Sequence, residues 1–371
     1  MSSQDKQNSK EAQGKDMSPT KVEKETTGQL SSFKLLLLVL MVLQNSSAVL
    51  LGRYARTSVT KDELFNVNHL VLVTEVAKLI LSSILEFQST NGNLLKSVKE
   101  NILDRPLSAL KISVPALLYL IQNTLLYVAL SNLTAPIFQV TYQGKLVTTA
   151  VVSVIMLNRK YNLKQWVCLV VLSLGVALVV LGEQKDDEKQ EEEEADKPSQ
   201  SITVGLISVT TACICSALAG VYFEKVLKKG ESENGVARAP VSMWMRNMQL
   251  ATFSIIIGVF QGISQGGDEE PKPYLHGFNA CVWTLVALQA GGGMLVAAVI
   301  KYADNVLKGL ATGVSVVVGT AFSSVFFHTV LTGQFTVGAV MILVSVYFFS
   351  NEMPKCLLGS KSVEMAPMLP R

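Results

Sequence analysis

The chain has 371 residues, of which 49% are hydrophobic and only 16% charged, against roughly 25% charged in a soluble domain. That balance excludes an ordinary soluble domain, and the length matches about ten membrane spans of roughly 20 residues with short connections. The net charge of +3 says little as a sum, because the signs are segregated along the chain. Residues 1–31 are polar, rich in Lys, Glu, Ser and Gln, and read as a disordered tail. The apolar run at 33–51 comes too late for a standard cleaved signal peptide and reads as the first anchor span. Further spans are expected at 64–87, 108–130, 134–157, 163–182, 202–224, 240–262, 278–301, 306–330 and 334–351. The connections at 131–133 and 331–333 are short enough to make their flanking helices antiparallel neighbours. Glu183 to Gln200, EQKDDEKQEEEEADKPSQ, is an acidic low-complexity linker.

The linker divides the spans five and five. An odd number per half makes the second half cross the membrane in the opposite sense, the layout of inverted-repeat transporters. The expected fold is therefore an all-α integral membrane protein of about ten transmembrane helices in two inverted five-helix repeats. Its parts would be a tail at 1–31, a first half at 32–182, the linker at 183–200, a second half at 201–352 and a tail at 353–371. Placing Lys145 on Lys308 also places Thr149 on Thr312, Val151 on Val314 and Val154 on Val317. Of the basic residues, 21 fall in the tails and the loops on one side and 7 on the other. By the positive-inside rule both termini face the cytosol and the acidic linker faces the lumen.

Lys145 and Lys308 each head an apolar stretch, FQVTYQGKLVTTAVVSV and KYADNVLKGLATGVSVV. A lysine in hydrocarbon costs roughly 2.5–3.5 kcal/mol on insertion scales, so each needs a partner, a wet cavity or an anionic ligand. Two of them at matching positions point to one central site for a doubly negative substrate. Around the first, Phe138, Thr141, Tyr142, Lys145, Thr148 and Thr149 recur at helical spacing and are expected to share a face. Around the second, Asp304, Asn305, Lys308, Thr312 and Ser315 do the same, with a plain Asp304–Lys308 salt bridge as the competing reading. Span three offers Tyr119, Gln122 and Asn123 on one face. Arg246, Asn247 and Gln249 lie near the start of span seven, where Arg246 is either a snorkelling anchor or a ligand. Glu75 and Lys78, three apart in span two, read as a structural pair. The run AGGGM at 290–294 lacks the pattern of a phosphate loop and reads as a packing surface.

Five cysteines in or beside apolar stretches form no disulfide framework, and His69, His276 and His328 show no metal spacing. No nucleophile has a plausible base, so nothing points to catalysis, a cofactor or a metal. Asn132-Leu133-Thr134 matches a glycosylation sequon in a turn too tight and too near the bilayer for use.

Several of these strings carry a family resemblance: IQNTLLYVALSNL at 121–133, FQVTYQGK at 138–145, AGVYFEKVLK at 219–228, WMRNMQL at 244–250 and VIKYADNVLKG at 299–309. The chain resembles the Golgi nucleotide-sugar transporters, in the branch that carries CMP-sialic acid, UDP-galactose and UDP-N-acetylglucosamine. The resemblance implies the drug/metabolite transporter fold, a Golgi membrane location, and exchange of cytosolic nucleotide sugar for lumenal nucleoside monophosphate. It assigns phosphate contacts to Lys145 and Lys308, nucleotide contacts around Tyr119, Asn123, Phe138 and Asn247, and a role for the Glu75–Lys78 pair. Phe138, Ala251, Leu295, Val296 and Ala297 depart from the CMP-sialic acid pattern and favour a UDP-sugar, with LQAGGGMLVAAVIKYADN most like UDP-N-acetylglucosamine carriers. Gly144 departs from the leucine usual before the lysine. The alternatives are a CMP-sialic acid/CMP antiporter and a non-transporting scaffold for glycosyltransferases. Expected partners are the nucleotide sugar, the nucleoside monophosphate and the lipid bilayer, with glycosyltransferases and a second copy of the chain as further candidates, and no nucleic acid.

Overall fold

The computed structural model describes residues 32–60, 63–187, 201–228, 232–233, 236–237, 241–264, 273–327 and 331–351. Both tails, and the acidic linker from 188 on, lie outside the described residues, as do Cys356 and His328.

The regular structure of the described residues is helical, apart from a two-residue antiparallel ladder pairing β1 (Ser232–Glu233) with β2 (Val236–Ala237). Helix α1 covers Ser32–Thr57 and α2 Val67–Ser89. Short α3 (Leu94–Val98), a π turn at Lys99–Leu103 and α4 (Pro106–Leu110) lead into α5 (Ser113–Asn132). The span expected at 134–157 is divided into α6 (Ala135–Tyr142) and α7 (Gly144–Leu157). There follow α8 (Leu163–Asp187), α9 (Ile202–Lys228), α10 (Met243–Ser264), α11 (Ala280–Tyr302), α12 (Asn305–Phe327) and α13 (Gly333–Ser350). Helix α8 carries the expected fifth span on to Asp187, into the first residues of the acidic run.

Among the described residues, eight helical stretches are long and apolar enough to cross a membrane: α1, α4 with α5, α6 with α7, α8, α9, α11, α12 and α13. Helices α2 and α10 are of similar length but more polar, the first carrying Glu75, Lys78 and Glu86 and the second Arg246, Asn247 and Gln249. The outer faces are apolar. On α13, Val337, Val340, Val344 and Tyr347 recur at helical spacing and are each about half exposed. A soluble protein does not present rows of that kind on most of its helices, whereas a hydrocarbon solvent requires them.

Local chemistry sets the helix ends. The Asn66, Asn279 and Thr332 side chains accept from the backbone N–H groups of Asn68, Val282 and Phe335, starting α2, α11 and α13. Asn158 closes α7 in the left-handed conformation, at φ 52°, which asparagine tolerates better than most residues. Small residues let helices approach. Gly175 of α8 faces Gly338 of α13 so closely that a Cβ on Gly338 would lie 2.6 Å from the Gly175 carbonyl oxygen. Helix α9 packs on α5 and α7, α1 on α11 and α12, and α2 on α10 and α11. These contacts surround a central space on which α1, α7, α8, α9, α11 and α12 converge.

At one end of α2, Glu86 is buried and accepts hydrogen bonds from the Ser97 and Ser242 hydroxyls, each at 2.5 Å, joining α2, α3 and the start of α10. Arg246 is buried beside it and donates to the Ser108 carbonyl and hydroxyl and to Gln249 Oε1, each at 3.0 Å. It is neither a snorkelling anchor nor exposed to a ligand; it fastens α10 to α4.

A cationic cavity as the candidate functional site

The central space is a cavity of about 710 Å³, large enough for a ligand of several hundred daltons. Lys145 and Lys308 both line it, from the first turns of α7 and α12. Among the described residues, its wall contains no Asp or Glu. The polar groups around it are Gln44 and Asn45 of α1, Tyr142 and Gln143, Thr149, Ser173 of α8, Ser216 of α9, Gln289 of α11, and Asn305, Thr312 and Ser315 of α12. Two lysines in a largely apolar cavity wall, with no lining carboxylate among the described residues, favour a dianion over a cation.

The two lysines are held differently. Lys145 Nζ donates to the Tyr142 hydroxyl at 3.1 Å and lies 4.9 Å from the centre of that ring. Lys308 has no ion pair among the described residues. Asp304, its expected competitor, is occupied elsewhere: Oδ1 accepts from the Leu307 N–H at 2.6 Å, capping α12, and Oδ2 accepts from Arg159 Nη1 at 2.6 Å. The hydroxyls are also committed. Thr149 Oγ1 donates to the Lys145 carbonyl at 2.8 Å, and Thr312 Oγ1 donates to the Lys308 carbonyl at 3.0 Å. They therefore turn lone pairs, rather than free protons, to the cavity, and the local chemistry is the same after each lysine.

The remaining predicted residues are distributed around this centre. Thr141 bonds back to the Ile137 carbonyl, and Phe138 is buried and stacked on Tyr142, with ring centres 5.7 Å apart. The expected face continues past Gln143, which keeps helical dihedrals: Phe138 stacks on Tyr142, which bonds to Lys145, and of that set Tyr142, Lys145 and Thr149 line the cavity. Tyr119, Gln122, Asn123 and Asn247 do not line it. Gln122 is buried and bonded to Asn123 at 3.4 Å, and Asn247 is buried against Met294. Asn123 lines a second cavity of about 360 Å³, with Glu75, Asn68, Tyr127 and Ser254. Glu75 pairs with Lys78 at 2.6 Å. The stem of Lys78 lies against Gly293, on the wall of the larger cavity, where a Cβ would come within 2.6 Å of it. Gly292 likewise gives its space to the Gln44 amide, so the glycine run admits two polar side chains as well as packing.

Sequence reasoning passed over Gln44 and Asn45, although they interrupt the apolar run KLLLLVLMVLQNSSAVLL. It also passed over a set of charges at one end of the cavity. Arg159, in the turn between α7 and α8, reaches Glu224 of α9 at 2.5 Å as well as Asp304. Glu224 is buried, pairs with Lys228 at 2.8 Å and accepts from the Asn305 N–H at 3.0 Å. Burial works against the Arg159 charge, but the Asp304 and Glu224 carboxylates outweigh it and hold the guanidinium above its ordinary value. Burial, reinforced by Asp304, lifts the nearby Tyr161 phenol to about 12.

Membrane-crossing helices gathered around a central cavity lined by two lysines define a polytopic transporter. The comparisons with known proteins identify which kind. The chain belongs to the nucleotide-sugar transporter family, whose profile matches residues 29–350. It is 39% identical over 327 residues to the mouse UDP-N-acetylglucosamine transporter, covering 87% of this chain and 96% of that protein. It is 38% identical to the mouse UDP-galactose translocator, covering 88% and 80%. It is 37% identical to the UDP-galactose/UDP-N-acetylglucosamine transporter srf-3 of Caenorhabditis elegans, covering 89% and 86%. A solved crystal structure superposes on 88% of this chain and 99% of its own with a TM-score of 0.60 at 11% identity, a likeness of fold alone. The protein is thus a multi-pass membrane transporter and not an enzyme.

Proposed function

We propose that the protein exchanges a cytosolic UDP-sugar, UDP-N-acetylglucosamine or UDP-galactose, for lumenal UMP across the Golgi membrane by alternating access. The observation that carries this reading is the pairing of Lys145 with Lys308 in one cavity whose wall holds no acid. A diphosphate placed between them neutralises both charges, and the nucleoside and sugar then extend into the remaining volume. UMP, with one phosphate and no sugar, suits the same cavity for the return step.

The packing supports two inverted halves of five spans each. Let α1, α2, α5, α6–α7 and α8 correspond in order to α9 through α13. The contacts α5–α9, α7–α9 and α2–α11 then become α11–α1, α12–α1 and α10–α5, all of which occur, while α8–α13 and α2–α10 map onto themselves. Such pseudo-symmetry supplies the two equivalent arrangements that alternating access needs. The excess of basic residues beside the α7–α8 and α11–α12 turns supports placing that end, and both termini, in the cytosol.

The test is counterflow in reconstituted vesicles with a panel of labelled nucleotide sugars. UMP-loaded vesicles are expected to take up UDP-N-acetylglucosamine or UDP-galactose at least tenfold faster than empty ones, with no stimulation by CMP. Equal uptake by loaded and empty vesicles would remove exchange from the account, and stimulation by CMP alone would move it to CMP-sialic acid.

A further inference from the structure

The charges around Arg159 form a layer across one end of the cavity. Three segments meet there: the α7–α8 turn through Arg159, the end of α9 through Glu224 and Lys228, and the α11–α12 junction through Asp304, with Lys228 also donating to the Ala303 carbonyl at 2.5 Å. The cavity starts directly inside this layer, at Asn305 and Lys308, and extends away from it. Ser216 on α9 lies two turns before Glu224, about 12 Å at 1.5 Å per residue. Asn305 joins the two zones. Its N–H is held by Glu224, and its side chain is 4% exposed and seated on Gly220. The residue lines the cavity, while its Oδ1 is buried and has no hydrogen-bond partner among the described residues.

We propose that Arg159 is a positioning residue for transport. By clamping Glu224 to Asp304 it closes the cytosolic end of the cavity, and Asn305 is where the bound substrate touches that closure. The chemistry provides a way to open it. The guanidinium fork matches a diphosphate as well as it matches two carboxylates. An incoming diphosphate therefore competes with Glu224 and Asp304 for Arg159, which frees the start of α12 and with it Lys308. Exposed Lys160 and Lys228 beside it attract the same anion.

This inference rests on the alternating-access reading, and one experiment separates the two. Ser216→Cys is placed in a chain whose five native cysteines are replaced, and a membrane-impermeant thiol reagent is applied from the face carrying the termini. UDP-N-acetylglucosamine on that face is expected to change the labelling rate; if it does not, alternating access itself fails. Arg159→Ala, confirmed as folded by a monodisperse elution profile, is expected to label at least tenfold faster and to exchange at least tenfold more slowly. Arg159→Lys, which keeps the charge but loses the fork, is expected to fall between and stands in if the alanine variant does not fold. Labelling at the parental rate in a folded Arg159 variant, with the substrate effect intact, overturns the closure while leaving alternating access standing.

Discussion

The two lysines occupy equivalent places, yet their surroundings differ. Lys145 follows a break at Gln143 that no side chain caps, leans on Tyr142 and has open space beside it at Gly144. Lys308 follows a break capped by Asp304 and lies one turn from Asn305, whose backbone is tied to the buried Glu224. The first lysine is thus secured by its own helix and can adjust; the second moves only with the layer of ion pairs. Two cations that bind one anion can therefore divide the work, one supplying charge and the other reporting occupancy to the end of the cavity.

The largest expected effect is loss of Lys308. A charge-assisted hydrogen bond contributes roughly 1.5–3 kcal/mol, so Lys308→Ala should reduce exchange by roughly 100-fold at unchanged abundance in the membrane, and Lys145→Ala by roughly 30-fold. Equal effects would break the asymmetry, and near-normal exchange by both would remove the lysines from the site.

Next come two glycines. A Cβ at Gly220 would overlap the Asn305 amide, whereas a Cβ at Gly144 meets nothing within 4 Å. Gly220→Ala should therefore push the Asn305 amide aside at the head of α12 and slow exchange by roughly tenfold, which corresponds to about 1.4 kcal/mol. Gly144→Ala should leave exchange within about twofold and raise stability by roughly 0.5 kcal/mol, read as a higher unfolding temperature. The reverse order would place the rigid side at Lys145.

The smallest effect belongs to Tyr142→Phe, which removes the 3.1 Å bond to Lys145 but keeps the ring. The apparent KM for UDP-sugar should rise about threefold, within the range for one neutral hydrogen bond, with the maximal rate retained.

Eight of the ten expected spans and both lysines are legible in the sequence because each is a local signal: an apolar run, or a charge that hydrocarbon would reject. The break at Gln143 has no such signal. No proline or glycine pair stands at Gln143 itself, and the periodic face from Phe138 to Thr149 reads as one helix until the chain turns between α6 and α7. The face itself survives the break, since Phe138, Tyr142 and Lys145 remain in contact in series, but spacing alone does not say which of them reach the cavity. Asp304 was read against its neighbour Lys308, four residues away, although its partner Arg159 is 145 residues distant in sequence. In a loop, Arg159 counts only toward membrane orientation; its function depends on two carboxylates that folding brings to it. Gln44 and Asn45 are legible as polar residues in an apolar run, but nothing in α1 alone indicates that they line the same cavity as Lys308.

The central claim is that Lys145 and Lys308 bind one phosphate chain. Its most direct measurement is equilibrium binding of UDP, UMP and uridine to the purified protein and to Lys145→Ala and Lys308→Ala. UDP should bind the parent at least tenfold tighter than uridine, and each substitution should abolish most of that difference while leaving uridine binding unchanged. UDP binding of equal strength in the parent and in both folded variants would contradict the account.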